Sequence, residues 1–183
     1  MKKIALPFIM ILVALFPILL MRTFAEQDED PSNFYSLEAL HDQADLVILG
    51  NIEGYKNIMI QREDQITFDR LYDVEVVDVI ANRTGLNVRN NTFITLMFYM
   101  GSNANEEYSS VFEQDENVLK DGHYLLFLND FKDPFLNDIV FVTSSPNHLY
   151  KKVGYSFINV YGKGKREISL PEIQIMKMKN NKQ

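Results

Sequence analysis

Ile66-Thr67-Phe68-Asp69-Arg70-Leu71-Tyr72-Asp73-Val74-Glu75-Val76-Val77-Asp78-Val79-Ile80 is the stretch on which the fold turns. Ile66, Phe68, Tyr72, Val74 and Val76 alternate in phase, which is the period of a β-strand with one apolar face. Val77 and Val79 continue the alternation one residue out of phase. A slip of one residue in an alternating pattern is the trace a β-bulge leaves in sequence. A long strand bent in this way can serve both halves of a small barrel.

Working toward the N-terminus, residues 55–65 are polar and read as a hairpin loop. Asp45 to Gly54 (DLVILGNIEG) is a strand with Leu46, Ile48 and Ile52 on one side and Val47 and Leu49 on the other. Before it, Ser36 has the chemistry of a helix N-cap, followed by Leu37, Leu40, His41 and Ala44 at helical spacing.

Toward the C-terminus, Asn82-Arg83-Thr84-Gly85 marks a turn. Thr92 to Met100 is apolar on both faces and is expected to be covered on both sides. Residues 101–120 are the longest irregular stretch, and Asp121-Gly122 turns into the apolar strand His123 to Leu128. Ile139 to Thr143 and Tyr155 to Tyr161 are two further strands, with Asn129–Asp138 and Ser144–Gly154 as connections, and Gly162-Lys163-Gly164 closes the last. Pro171 to Met178 fits either a short helix begun by proline or a final strand.

Short strands without intervening helices predict a mainly β domain over residues 36–178. The architecture expected is a five- or six-stranded antiparallel OB-like barrel preceded by a short helix, with residues 179–183 a frayed tail.

Lys2 and Lys3 precede eighteen residues, Ile4 to Met21, that carry no charge and no polar side chain. Arg22 and Thr23-Phe24-Ala25 follow, with small or hydroxyl side chains where signal peptidase requires them. Residues 1–25 thus read as a signal peptide cleaved after Ala25. The competing reading is an uncleaved anchor through residues 4–21, because eighteen residues rise about 27 Å as a helix, close to the span of a bilayer core. In both readings the chain is exported, and residues 26–35 (Glu26 to Tyr35) form an acidic spacer. Membrane contact is expected only through residues 4–21, and only if they are retained.

Removing 1–25 leaves 158 residues, one domain's worth and enough for a core without staples. The chain has no cysteine, which excludes disulfides, thiolate catalysis, thiolate zinc sites and iron–sulfur clusters. Packing must stabilise it, and 13 Phe and 9 Tyr supply the bulk. Segment 1–25 carries three positive and no negative side chains, so the remainder holds 15 basic against 25 acidic side chains, a balance of −10. Such a surface repels phosphate backbones, and no nucleic-acid partner is expected.

No catalytic, cofactor or metal residue is assigned. His41, His123 and His148 lie far apart in sequence and belong to no HExxH-type motif. His41 falls on the apolar side of its helix, where a satisfied core histidine is the expectation. Glu106-Glu107 and Asp115-Glu116 lack the ligand spacing of a calcium loop. The acids are too numerous for any one carboxylate pair to carry a signal. Phe98, Tyr99, Tyr124, Phe127, Phe141, Tyr155, Phe157 and Tyr161 lie on the expected strands. OB barrels use exposed strand aromatics to stack ligands, but core packing is the first expectation for these rings.

Ala44-Asp45-Leu46-Val47-Ile48-Leu49-Gly50, Val76-Val77-Asp78-Val79-Ile80, Phe93-Ile94-Thr95-Leu96 and Leu119-Lys120-Asp121-Gly122-His123-Tyr124-Leu125-Leu126-Phe127-Leu128 occur in an order that resembles a group of exported bacterial proteins. These in turn are similar to the OB-fold domain of tissue inhibitors of metalloproteinases and to netrin-like modules. The resemblance covers roughly residues 36–161 and implies an OB barrel. The inhibitors chelate their target's zinc with a disulfide-bonded N-terminal cysteine. This chain has no cysteine and an acidic spacer at that place, so that mechanism does not carry over.

The function expected is that of an exported, non-enzymatic binding module without cofactor, its partner an envelope protein or glycan. A protease inhibitor acting through a barrel edge or the 101–120 loop is the alternative, and an extracellular carboxylate-dependent hydrolase a third.

Overall fold

Leu46, Ile48 and Ile52 point one way from the first strand and Val47 the other, and all four are fully buried. A strand apolar on both faces needs a core on each side, and the fold provides two. A computed structural model of the chain describes residues 36–62, 65–103, 118–136, 138–143, 148–162 and 165–180, all within the unit Tyr35–Gln183. The expected signal segment 1–25 and spacer 26–35 lie outside the described residues.

The elements are helix α1 (Leu37–Gln43), strands β1 (Leu46–Arg62), β2 (Gln65–Asn82), β3 (Phe93–Asn103), β4 (Gly122–Asp133), β5 (Asp138–Val142), β6 (Leu149–Val153), β7 (Ser156–Asn159) and β8 (Glu167–Ser169), and helix α2 (Leu170–Asn180). The strands form one sheet in the order β1-β2-β3-β5-β4-β6-β7-β8, and β1 also pairs with β4. The pairings of the first five strands therefore return on themselves. Closure between β3 and β5 rests on one parallel pair, Leu96 opposite Phe141. The sheet is thus mixed rather than purely antiparallel.

The phase slip in β2 is real. Leu49 lies opposite Asp78 and Gly50 opposite Val76, so Val77 has no opposite residue on β1 and is exposed. A second irregularity skips Ile80 between Val47–Ala81 and Ile48–Val79.

One core gathers the inward residues of six strands, among them Leu46, Ile48, Ile52, Val74, Val76, Leu96, Tyr124, Leu126, Leu128, Phe141 and Leu149. The other lies on the opposite face, where Val47, Leu125, Phe127, Tyr150, Phe157 and Ile168 meet Leu40 of α1 and Ile173 and Met176 of α2. Successive residues of β4, from Tyr124 to Leu128, alternate between the two cores, and all five are buried.

Several sequence expectations need correction. Residues 55–62 and 65 are strand, not loop: β1 runs on as a ribbon against β2, Tyr55 opposite Tyr72 and Ile60 opposite Thr67. Thr92–Met100 is not covered on both sides, since Phe93 and Tyr99 are exposed. Residues 101–103 extend β3, while 104–117 lie outside the described residues. The Asn129–Asp138 connection is mostly the end of β4, and the Ser144–Gly154 connection contains β6. The Tyr155–Tyr161 strand is shorter than expected, with Tyr155, Val160 and Tyr161 in turns. The short β8 was not expected, which brings the strands to eight among the described residues.

Pro171–Met178 is helical. Glu172 caps the start of α2: its carboxylate accepts from the Ser169 amide and hydroxyl, each at 2.8 Å. Lys179 and Asn180 are not frayed tail but belong to α2.

Candidate functional site

Ser36 caps α1 as its sequence implies, its hydroxyl accepting from the Ala39 amide at 3.1 Å. The other end of α1 leaves carbonyls without helical partners. Arg83, in the turn after β2, fills them: its Nη1 donates to the His41 carbonyl at 2.8 Å and the Ala44 carbonyl at 2.7 Å. The last turn of α2 closes over the same place. A cavity of about 280 Å³ remains, lined by Glu38, His41, Asp42, Arg83, Met176, Lys179 and Asn180.

His41 is the buried centre of this arrangement. Asn180 Nδ2 donates to the Ile80 carbonyl at 3.0 Å and faces His41 Nε2 at 2.9 Å. An amide nitrogen only donates, so Nε2 accepts from Asn180, while Nδ1 lies 3.0 Å from Asp42 Oδ1. Arg83 Nη2 lies nearly equidistant from both ring nitrogens, at 3.1 and 3.3 Å. The rim holds an exposed ion pair, Lys179 Nζ to Glu38 Oε1 at 2.6 Å. The bond to Lys179 holds the Glu38 carboxyl below its usual range, and Glu38 raises the Lys179 ammonium.

A histidine paired with an aspartate is half of an acid–base relay, but a general base must have its second nitrogen free for substrate. Here that nitrogen is occupied by the Asn180 amide. No serine, threonine or cysteine lines the cavity. The arrangement is a clamp: it fastens α2 to α1 and to the end of β2, helped by Lys177 bonding both oxygens of Asp78 at 2.7 Å.

The structure does not bring the three histidines together. His123 is exposed on β4, and His148 is buried with its ring 6.4 Å from that of Phe127. Burial pushes the His148 imidazole down from its ordinary value. Among the described residues no three or more His, Asp or Glu side chains gather as metal ligands. Glu106, Glu107, Asp115 and Glu116 lie outside the described residues, as does most of the 101–120 loop.

Of the strand aromatics, Tyr124, Phe127, Phe141 and Phe157 are core. Burial pushes the Tyr124 phenol up to about 12, and its hydroxyl donates to the Lys120 carbonyl at 2.7 Å. Phe98 and Tyr161 are half-buried against the same core. Tyr99 stays at the surface at 62% exposure, and so does Phe93, at 64%. Phe93 and Tyr99 share the outward face of β3, opposite Glu75 and Asp69 of β2.

Sequence reasoning missed Arg83 and Asn180 as working residues, taking one for a turn and the other for tail. It also missed Arg70, fully buried on β2, whose Nε donates to Asn57 Oδ1 at 2.9 Å and whose guanidinium lies 4.7 Å from the Tyr55 ring centre.

No family model, curated protein or solved structure matches the chain. Among the described residues no helix is long and apolar enough to cross a membrane, and residues 4–21 fall outside them.

Proposed function

We propose that this protein is an exported, non-enzymatic binding module of the OB type, working at the bacterial cell surface or in the medium on an envelope glycan or protein. The observation that carries the reading is the pair of large aromatic side chains, Phe93 and Tyr99, held in solvent on one face of a paired strand. Rigid, exposed aromatics are the anchors a binding face uses, because they cost little ordering entropy on association. The ring order β1-β2-β3-β5-β4, with β3 and β5 parallel, supports the OB-like barrel, as does the resemblance to the metalloproteinase-inhibitor and netrin-like domains. The clamp supports a non-enzymatic reading, since its one histidine–aspartate pair is engaged on the fold itself.

Export is tested by expressing the full gene in a Gram-positive host. A chain beginning at Glu26 in the medium, or an intact chain in the membrane fraction, is expected; a cytoplasmic product would overturn it. Binding is tested by sedimenting the protein with purified cell walls. The native chain should be retained, and the double variant Phe93→Ser/Tyr99→Ser released at least about tenfold more readily, with unchanged unfolding. Failure of the native chain to bind any wall or envelope-protein fraction would sink the binding reading.

A further inference from the structure

The chain's acidity is not evenly spread. Residues 148–166 hold five basic side chains, Lys151, Lys152, Lys163, Lys165 and Arg166, and no acidic one. This stretch contains the β6–β7 hairpin. Val153 pairs with Ser156, so Gly154 and Tyr155 make a two-residue turn, and Gly154 has the positive φ (60°) that such a turn requires. The tip is apolar and open to solvent: Tyr155 is 87% exposed, more than any other large hydrophobic side chain among the described residues, and Val153 is 60% exposed. Ile158 on β7 and Val160 just after it, each 37% exposed, continue the apolar surface.

Two lysines precede this tip on opposite faces of β6. Side chains alternate across a strand, so Lys151 stands on the face of Val153 and Ile158, and Lys152 on the face of Phe157. Lys165, by contrast, is held by Glu172 at 2.6 Å. Lys151 leans over the Tyr124 ring at 5.5 Å, with a 3.4 Å contact to the Asp121 carbonyl.

We propose that the β6–β7 hairpin docks on an anionic lipid bilayer, Val153 and Tyr155 entering the headgroup region and Lys151 and Lys152 pairing with lipid phosphates. An aromatic ring with one polar end suits the membrane–water interface, and basic side chains beside it are drawn to a negative surface. Complementarity selects this occupant: an exposed tyrosine and valine follow two lysines, in a stretch without acidic side chains on a chain that is otherwise rich in them. The proposal goes beyond the wall-binding reading and uses neither Phe93 nor Tyr99.

The absence of cysteine makes a clean test possible on the full chain. An environment-sensitive fluorophore is attached at Val153→Cys and, as a control, at Val77→Cys on exposed β2. Vesicles of phosphatidylglycerol with phosphatidylcholine are compared with phosphatidylcholine alone and with inorganic phosphate. The label at 153 should shift to the blue and be quenched by nitroxide lipid in the anionic vesicles only, and the label at 77 should not. Replacing Lys151 and Lys152 by glutamine should lower the partition of the hairpin about 30-fold, the effect of two basic side chains at a negative surface. Tyr155→Ser should weaken quenching without changing the unfolding midpoint. No response at 153, an equal response in neutral vesicles, or an equal response at 77 would overturn the proposal. Attachment through the uncharged residues 4–21 alone would need no anionic lipid and would give the second of these results. Wall sedimentation of the Phe93→Ser/Tyr99→Ser variant reads the binding module independently.

Discussion

Gly50 is the point at which a single methyl group tests the packing of the sheet. It is buried on β1, opposite Val76 of β2 on one side and Tyr124 of β4 on the other, beside the register irregularity at Leu49. By alternation it points inward between Ile48 and Ile52. A Cβ there would stand 2.5 Å from Val74 Cγ1, 3.4 Å from Leu126 Cδ1 and 3.5 Å from Ile48 Cδ1. Carbon atoms rest at about 3.5–4.0 Å, so the collision with Val74 is about 1 Å deep. Val74 is fully buried and branched at Cβ, which leaves it little rotamer freedom to yield.

Gly50 is not among the residues with positive φ, so alanine meets no backbone strain and gains about 0.4–1 kcal/mol from a less flexible unfolded chain. Overpacking costs about 1–3 kcal/mol. The expected net effect of Gly50→Ala is a loss of about 1–2 kcal/mol, read as a lower urea midpoint with unchanged m-value. Val74→Ala alone should cost about 2 kcal/mol through its cavity. The double variant should be less destabilised than the sum of the two by about 1 kcal/mol or more, because the new methyl enters the space the valine leaves. A Gly50→Ala midpoint at or above that of the native chain, or strict additivity in the double variant, would refute this account.

Burial depresses the His148 imidazole, so between the unfolded value near 6.5 and the lower folded value the unfolded chain holds more protons. Stability should then fall as pH drops below about 6.5, by at most about 1.4 kcal/mol per unit, and His148→Leu should remove that slope from a urea–pH series. Glu172 is held down to about 2, first by Lys165 and then by the Ser169 amide, so its contribution is present above 4.5 and lost as pH falls from 4.5 to 2. With 35% of its side chain exposed, solvent screening limits that to about 1 kcal/mol; Glu172→Gln should flatten this acid limb. The Tyr150 hydroxyl is buried without a hydrogen bond of acceptable geometry, although the Asn159 side chain acts on it, so Tyr150→Phe should leave the unfolding midpoint unchanged or raise it. Arg70→Lys loses both the Nε bond to Asn57 and the planar contact with Tyr55, and should lower stability by about 1–2 kcal/mol.

The strands that sequence revealed are those whose side chains fill a core. Leu46 to Leu49 and Tyr124 to Leu128 announce themselves because successive residues enter the two cores in turn, and the slip at Val76-Val77 because it breaks that rhythm. The ribbon of residues 55–62 was hidden because Tyr55, Lys56 and Met59 face solvent, and β6 because Lys151 and Lys152 interrupt its apolar pattern. The parallel contact of Leu96 with Phe141 leaves no trace at all, since parallel and antiparallel strands share the period of two. Pro171–Met178 was legible only as helix or strand, although Ser169 and Glu172 stand at capping-box spacing at its start. The clamp lay beyond reach: its partners are 42 and 139 residues from His41, and nothing local marks Arg83 or Asn180 as belonging to it.

The same two-faced packing explains how a chain proposed to work outside the cell can dispense with disulfides. A one-faced sheet of this size leaves half its strand side chains in water, and small exported domains then rely on covalent staples. Here α1 and α2 turn the second face of the sheet into another core. That core holds only if α2 stays in place, and α2 packs only Ile173 and Met176 into it. The polar contacts of its last turn, Lys177 to Asp78, Lys179 to Glu38 and Asn180 to His41 and Ile80, therefore decide whether the second core closes. Asn180→Ala leaves His41 Nε2 and the Ile80 carbonyl without this donor, at a cost of about 1–3 kcal/mol. Amide exchange in α2 and β8 should quicken by the factor that this cost represents, about 5- to 150-fold, whether α2 opens alone or with the cores. Exchange in α2 unchanged from the native chain would mean that the clamp does not hold the helix.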